Sequence, residues 1–196
     1  CDLAPNLTAE QVEKGITALE RFQPDAIVSM GGGTVLDAAK LMRYRWEHPE
    51  VSWEGLRLNF LDDRKRVLEA EKREQKTPLF TIATTAGTGA ECTPCAVVTD
   101  EKTGVPWQIY HPELLPTAAI IDADHMKCLP KGLTREDGMG TLTRALESYL
   151  LLCATDYTDG FALFSCKNVL DYLLCAYDRL EEDEAARRKL ADASAL

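Results

Sequence analysis

Gly31, Gly32 and Gly33 stand between a short apolar run and an alanine-rich stretch, in DAIVSMGGGTVLDAAK at residues 25–40. Ala26, Ile27, Val28 and Met30 suit a buried parallel strand. Thr34 is the expected N-cap of the helix that follows. A glycine loop that opens into a helix N-terminus presents unpaired backbone N–H groups and the positive end of the helix dipole, a combination that holds phosphate. Glycine lets the backbone come close, where a side chain would stand in the way. The loop is neither G-x-G-x-x-G nor a Walker A sequence, because no Lys-Ser/Thr follows Gly33. A tight strand–helix turn with no ligand is the alternative reading.

A second candidate for chemistry is Cys92-x-x-Cys95. It has no second pair and no histidine at zinc spacing, and Ala96, Val97 and Val98 beside it are apolar. Small buried side chains are the expectation there, ahead of a metal or redox role.

These residues need elements to hold them. Residues 8–22 read as a helix with a capping box of Thr8 and Gln11 and an apolar stripe of Val12, Ile16 and Leu19, ended by Pro24. The helix after the glycine loop runs over 34–46 and stops at His48-Pro49. Two helices are expected within the densely charged residues 51–76. Strands follow at 78–85, 96–100, 107–110 and 118–122, the second and third as a hairpin around the turn at 101–104. After Pro130 the strand signals stop, and 134–152, 158–177 and 181–196 read as helices. The expected boundary therefore lies near Leu129: an α/β domain over 1–129, then an all-α part over 130–196.

Composition narrows the function classes. The chain has 196 residues, 45% hydrophobic and 28% charged, enough for a core. A net charge of -10 argues against nucleic acid and anionic membrane as partners. The basic cluster at Arg64, Lys65 and Arg66 adjoins Asp62 and Asp63, so it reads as a mixed salt-bridged face. No apolar run approaches the roughly 18 residues of a membrane span, and no signal peptide is expected in residues 1–24. Seven cysteines, an odd and scattered count, fit a reducing cytoplasmic setting. The chain does not begin with methionine, and its last residues run in a helical pattern without a stop signal. A piece of a longer protein is the expectation.

GGGTVLDAAK, TTAGTGAE, VVTDEKTG and the segment 130–147 occur in the order found in iron-dependent (type III) alcohol dehydrogenases. EHPEVSW with NFLDDRKRV is similar to the alcohol dehydrogenase half of the bifunctional aldehyde–alcohol dehydrogenases. The resemblance covers nearly the whole chain. It implies a Rossmann-like, dehydroquinate synthase-like α/β domain that binds NAD(P), followed by an all-helical domain that binds iron. By that resemblance Gly31, Gly32, Gly33 and Thr34 hold the cofactor diphosphate, with Asp37 close by. Thr84, Thr85 and Thr88 line the path from phosphate to nicotinamide with hydroxyl and backbone donors. The resemblance also implies a short-chain aldehyde or alcohol as substrate and a homo-oligomer or filament as assembly. It further implies strands ahead of Cys1 and more of the helical domain after Leu196.

The chain departs from the family where the family binds metal. There, Asp and His four residues apart share one helix face and hold Fe²⁺ with two later histidines. Here the segment reads DGMGTLTRALESY, with Gly140 at the aspartate position and Arg144 at the histidine position. Glycine has no donor, and arginine keeps its proton and repels a dication. Pro106 replaces a lysine expected near the nicotinamide, and Ala90 replaces the serine expected at the end of TTAGTGS. His48, His111 and His125 fall at no ligand position and are expected on the surface or in loops.

The family chemistry uses the cation to polarise the reacting oxygen while hydride moves to or from the nicotinamide. Its loss removes several kcal/mol of transition-state stabilisation, about 10³-fold in rate. Iron is therefore not expected to bind here, and no catalytic residue is assigned. An impaired alcohol dehydrogenase is the first expectation. A non-catalytic nucleotide-binding or assembly domain, or a gene fragment, is the alternative. Arg144 as a metal-free donor to the substrate oxygen is a minor variant, set against Arg144 paired with Glu147 or Glu136.

Overall fold

The computed structural model describes residues 6–56, 76–179 and 184–196. The chain opens with α1 (Ala9–Phe22), closed at its start by the expected capping box: the Gln11 N–H donates to Thr8 Oγ1 at 3.4 Å and the Thr8 N–H to Gln11 Oε1 at 3.0 Å. It ends at Gln23, a left-handed residue whose N–H reaches the Leu19 carbonyl. Strand β1 (Ile27–Gly31) follows, then α2 (Gly33–Glu47). The helix starts one residue before the expected cap, so Thr34 lies inside its first turn. The two helices expected within 51–76 fall largely on residues 57–75, outside the described residues.

β2 (Leu79–Ala83), β3 (Cys95–Thr99), β4 (Pro106–Tyr110) and β5 (Ala118–Ile121) complete the strands. β1, β2 and β5 form one sheet in that order. The Ile27 N–H bonds the Pro78 carbonyl and the Thr84 N–H bonds the Gly31 carbonyl, so register advances along both strands and the pair is parallel. β3 and β4 form the expected hairpin, Cys95 opposite Tyr110 and Thr99 opposite Pro106. Burial differs from expectation at β1: Ser29 is buried, but Val28 and Met30 are exposed. Only β2 has a strand on each side, and both outer strands keep open faces among the described residues.

The helices α3 (Lys131–Leu150), α4 (Asp156–Arg179) and α5 (Glu184–Ala195) follow, so α/β gives way to all-α as the sequence implies. α3 packs on α4 and α4 on α5. The buried face of α3 is Thr134, Gly138, Thr141 and Ala145, one face at helical spacing and built of small residues. Arg187 of α5 lies among them, donating to the Met126 carbonyl at 3.0 Å and Thr134 Oγ1 at 3.4 Å. Leu150, Leu152 and Tyr157 at the α3–α4 turn are exposed. Gly160 in α4 is exposed with no atom near where a Cβ would go. Gly160→Ala is therefore expected to raise stability by about 0.5–1 kcal/mol, read as a higher urea midpoint. A lower midpoint would contradict this.

The chain divides into two compact units. Of the described residues, the first takes those within 1–30, 34–81 and 93–119, and the second those within 31–33, 82–92 and 120–196. The core of the first is Leu7, Val12, Ile16, Leu41, Tyr44, Val98, Ile109 and Leu114 with their neighbours. No helix among the described residues is long and apolar enough to cross a membrane. The six described cysteines are free. Cys92 is exposed and Cys95 half-buried, so the C-x-x-C pair is less buried than expected, because a 3-10 turn at Ala90–Cys92 carries Cys92 outward.

Candidate functional site

Both glycine loops lie in the second unit, and they touch. The first is Gly31–Gly33. The second runs from Thr84 through Gly87 and Gly89 to the buried Glu91. A Cβ on Gly32 would come 3.2 Å from Thr85 Cγ2, and one on Gly33 would come 2.7 Å from Thr88 Cγ2. The structure therefore brings together Gly31, Gly32, Gly33, Thr84, Thr85 and Thr88. It also gives the glycines a second reason to be there: a side chain on Gly33 would strike Thr88. Thr88 Oγ1 accepts from the Ala90 N–H at 3.3 Å, which fixes its rotamer. No acidic residue lies in the first turn of α2, so nothing there repels a diphosphate. The loop and the helix start fit the diphosphate of a dinucleotide.

Asp37 behaves differently. Its carboxylate bonds the Lys40 ammonium at 3.2 Å and accepts from the Val97 N–H at 3.0 Å. Burial pushes this carboxyl above the usual carboxylate range, with Lys40 and the Val97 N–H opposing. The fully buried Lys40 also donates to the Cys95 carbonyl at 2.7 Å and Thr93 Oγ1 at 3.4 Å. Asp37 thus ties α2 to the β3–β4 hairpin.

Gly140 and Arg144 share a face of α3. The Arg144 guanidinium donates to the Gly87 carbonyl, so the second glycine loop is fastened to α3 by this side chain. Thr141 adds a bond from its hydroxyl to the Ala86 carbonyl at 3.2 Å. Burial lowers the Arg144 pKa, while the carboxylates of Glu91, Asp137 and Glu147 favour its charged form. Arginine remains protonated in proteins. Gly140 offers no donor and Arg144 offers only N–H groups, so these two positions do not fit an iron ion. Arg144 carries a fixed positive charge, and its electrostatic partners are Glu91 and Asp137 ahead of Glu147.

Asp137 Oδ2 is buried without a hydrogen-bond partner. Burial holds this carboxyl above the usual range, Glu136 adds to that, and Arg144 and the Ala86 N–H oppose it. A raised folded-state pKa means the native state binds the proton more tightly than the unfolded chain does. The ionised carboxylate then costs stability above its folded pKa and costs nothing below the unfolded value, roughly pH 4. Asp137→Asn is expected to raise the thermal midpoint at pH 7, with the gain fading as pH falls toward 4. Scanning fluorimetry at the two pH values checks this, and no gain at pH 7 would contradict it.

Sequence reasoning missed a further group. His48 and His111 lie in loops, one of the two placements expected, but His48 is only 8% exposed and His111 is half-buried, whereas His125 is exposed. The reason is the Tyr44 ring, which stacks at 4.8 Å on His48 and 4.7 Å on His111. His48 Nε2 lies 2.6 Å from Glu113 Oε2. The available signal was a repeated tripeptide, His-Pro-Glu at 48–50 and again at 111–113.

A parallel sheet with a glycine loop feeding a helix, a second glycine–threonine loop packed on it, and a following helical region define a dinucleotide-type dehydrogenase architecture. The chain belongs to the iron-containing alcohol dehydrogenase family: residues 1–123 match the family model of that description. It is similar to the aldehyde-alcohol dehydrogenase of Clostridium acetobutylicum, 40% identical over 185 residues that make up 94% of this chain and 22% of that protein. Among solved structures, an iron-containing alcohol dehydrogenase from Thermococcus thioreducens superposes with TM-score 0.83 at 26% identity, over 98% of this chain and 49% of that one. Sulfoacetaldehyde reductase from Bifidobacterium kashiwanohense, in complex with NAD+, gives TM-score 0.82 at 26% identity, over 99% and 49%. The chain thus spans about a fifth of that aldehyde-alcohol dehydrogenase and about half of the solved structures.

Proposed function

We propose that the chain is the nucleotide-binding portion of an NAD-dependent dehydrogenase of the alcohol–aldehyde type, impaired in catalysis because its family metal position is filled by arginine. Residues 1–129 form the NAD-binding part and 130–196 belong to the helical part. Gly31, Gly32, Gly33 and Thr34 hold the diphosphate through backbone N–H groups, and Thr84, Thr85 and Thr88 line the path to the nicotinamide. Asp37 acts from behind, by holding α2 against the hairpin. Bound NAD supplies the hydride acceptor and donor; this chain's residues bind and orient it.

One observation carries the impairment: the Arg144 guanidinium donates into the Gly87 carbonyl, beside a glycine where the family has a carboxylate. The test is alcohol-dependent reduction of NAD+ after anaerobic reconstitution with Fe²⁺, using ethanol and butanol. The expected rate lies at least about 10³-fold below that of a metal-loaded relative. Turnover within tenfold of such a relative would overturn the reading.

A second reading is an assembly part that need not turn over substrate. The exposed Leu150, Leu152 and Tyr157 favour it. Light scattering separates the two, because an assembly part self-associates at micromolar concentration and loses that on Leu152→Glu.

A further inference from the structure

We propose that Glu47, His48 and Glu113 form a divalent-cation site in the first unit, distinct from the position held by Arg144. Each residue offers one ligand atom, and these atoms all lie within 4.8 Å of one another. Glu47 and His48 come from the C-terminal end of α2, and Glu113 from the 3-10 turn after β4. The His48 and Glu113 side chains are only 11% and 13% exposed, which separates this group from an ordinary acidic surface patch.

The surroundings are those of a metal ligand set. A ligating histidine turns its other ring nitrogen toward a carboxylate, and His48 Nδ1 faces Glu50 Oε1 at 3.7 Å. Glu47 Oε1 is aimed by the Thr77 N–H at 2.8 Å. The Tyr44 ring against His48 fixes the plane of the imidazole.

The buried Arg43 guanidinium lies on the same helix, and the carboxylates of Glu47 and Glu113 favour its charged form. The Arg43 guanidinium donates to the Glu113 main-chain carbonyl, and its Nε and second Nη atoms make no hydrogen bond.

One nitrogen and two carboxylate oxygens suit the manganese–zinc class of divalent ions better than calcium, which prefers oxygen alone. Two ligands on one such ion sit about 3 Å or more apart, given bonds of about 2.0–2.2 Å. His48 and Glu113 stand 2.6 Å apart, so the cation replaces the proton between them and the Glu113 carboxylate turns by less than about 1 Å. The bound ion would clamp the end of α2 to the turn after β4.

Mn²⁺ is the probe, since the cysteines compete weakly for it. Titration of the full chain in reducing buffer, with free Mn²⁺ read by electron paramagnetic resonance, is expected to show one site per chain at micromolar to submillimolar dissociation constant. Glu47→Gln keeps the acceptor for the Thr77 N–H and so preserves the fold. It and Glu113→Gln should each weaken binding at least about tenfold. His125→Ala and Arg144→Lys should leave it unchanged, which separates this site from the family position. A folded chain that binds no Mn²⁺ below about 1 mM, or one whose affinity survives Glu47→Gln, overturns the proposal.

Discussion

Gly89→Ala is expected to lower stability by about 3 kcal/mol or more. Gly89 has φ +62°, a left-handed conformation that costs an L-residue roughly 1–2 kcal/mol. Its Cβ would also lie 2.7 Å from the Ser194 carbonyl oxygen. That oxygen is main chain, within α5, and cannot swing aside as a side chain would. Overpacking of this kind adds about 1–3 kcal/mol. For a chain of this length the thermal midpoint falls by roughly 2–4 °C per kcal/mol, so a drop of about 6–12 °C should be seen in a scanning fluorimetry experiment. Gly104→Ala is the control. Gly104 has φ +69° but nothing within 4 Å of its Cβ, so only the conformational part should appear. Equal losses in the two variants would show that the Ser194 contact carries no weight.

Gly33→Val should cost the chain at least about tenfold in NADH affinity while leaving it folded. The backbone at Gly33 is where the helix N-terminus meets the second loop, and phosphate binding needs the main chain bare there. A branched side chain would meet Thr88, held in its rotamer by the Ala90 N–H, so the strain passes to both loops. Circular dichroism verifies the fold, and cofactor fluorescence gives the affinity. An unchanged dissociation constant in a folded Gly33→Val chain would mean that the first glycine loop serves only the strand–helix turn.

Much of the fold was legible because the local signals agreed with one another. The capping box at Thr8 and Gln11, the glycine break after β1, the turn between β3 and β4 and the loss of strand signals after Pro130 each correspond to an observed element. The exposure of Val28 and Met30 was not legible, because an apolar run does not say whether its strand is central or outermost. At the candidate site, the glycine loop could be named from pattern and Thr84, Thr85 and Thr88 from the family resemblance, but what each side chain is tied to could not. Asp37 is engaged by Lys40 and by an N–H sixty residues away. Arg144 binds a main-chain carbonyl, and carbonyls leave no trace in a sequence. The pairing of His48 with Glu113 spans 65 residues, so only the repeated His-Pro-Glu hinted at it.

The central claim is that the two glycine loops bind dinucleotide without help from a metal at Arg144. The most direct measurement is an NADH fluorescence titration of the purified chain after EDTA treatment and desalting, with circular dichroism on the same sample. Saturable binding at micromolar to submillimolar NADH, unchanged when Fe²⁺ is restored, is the predicted result. A folded chain that fails to bind NADH, or binds it only with Fe²⁺ present, would contradict the claim.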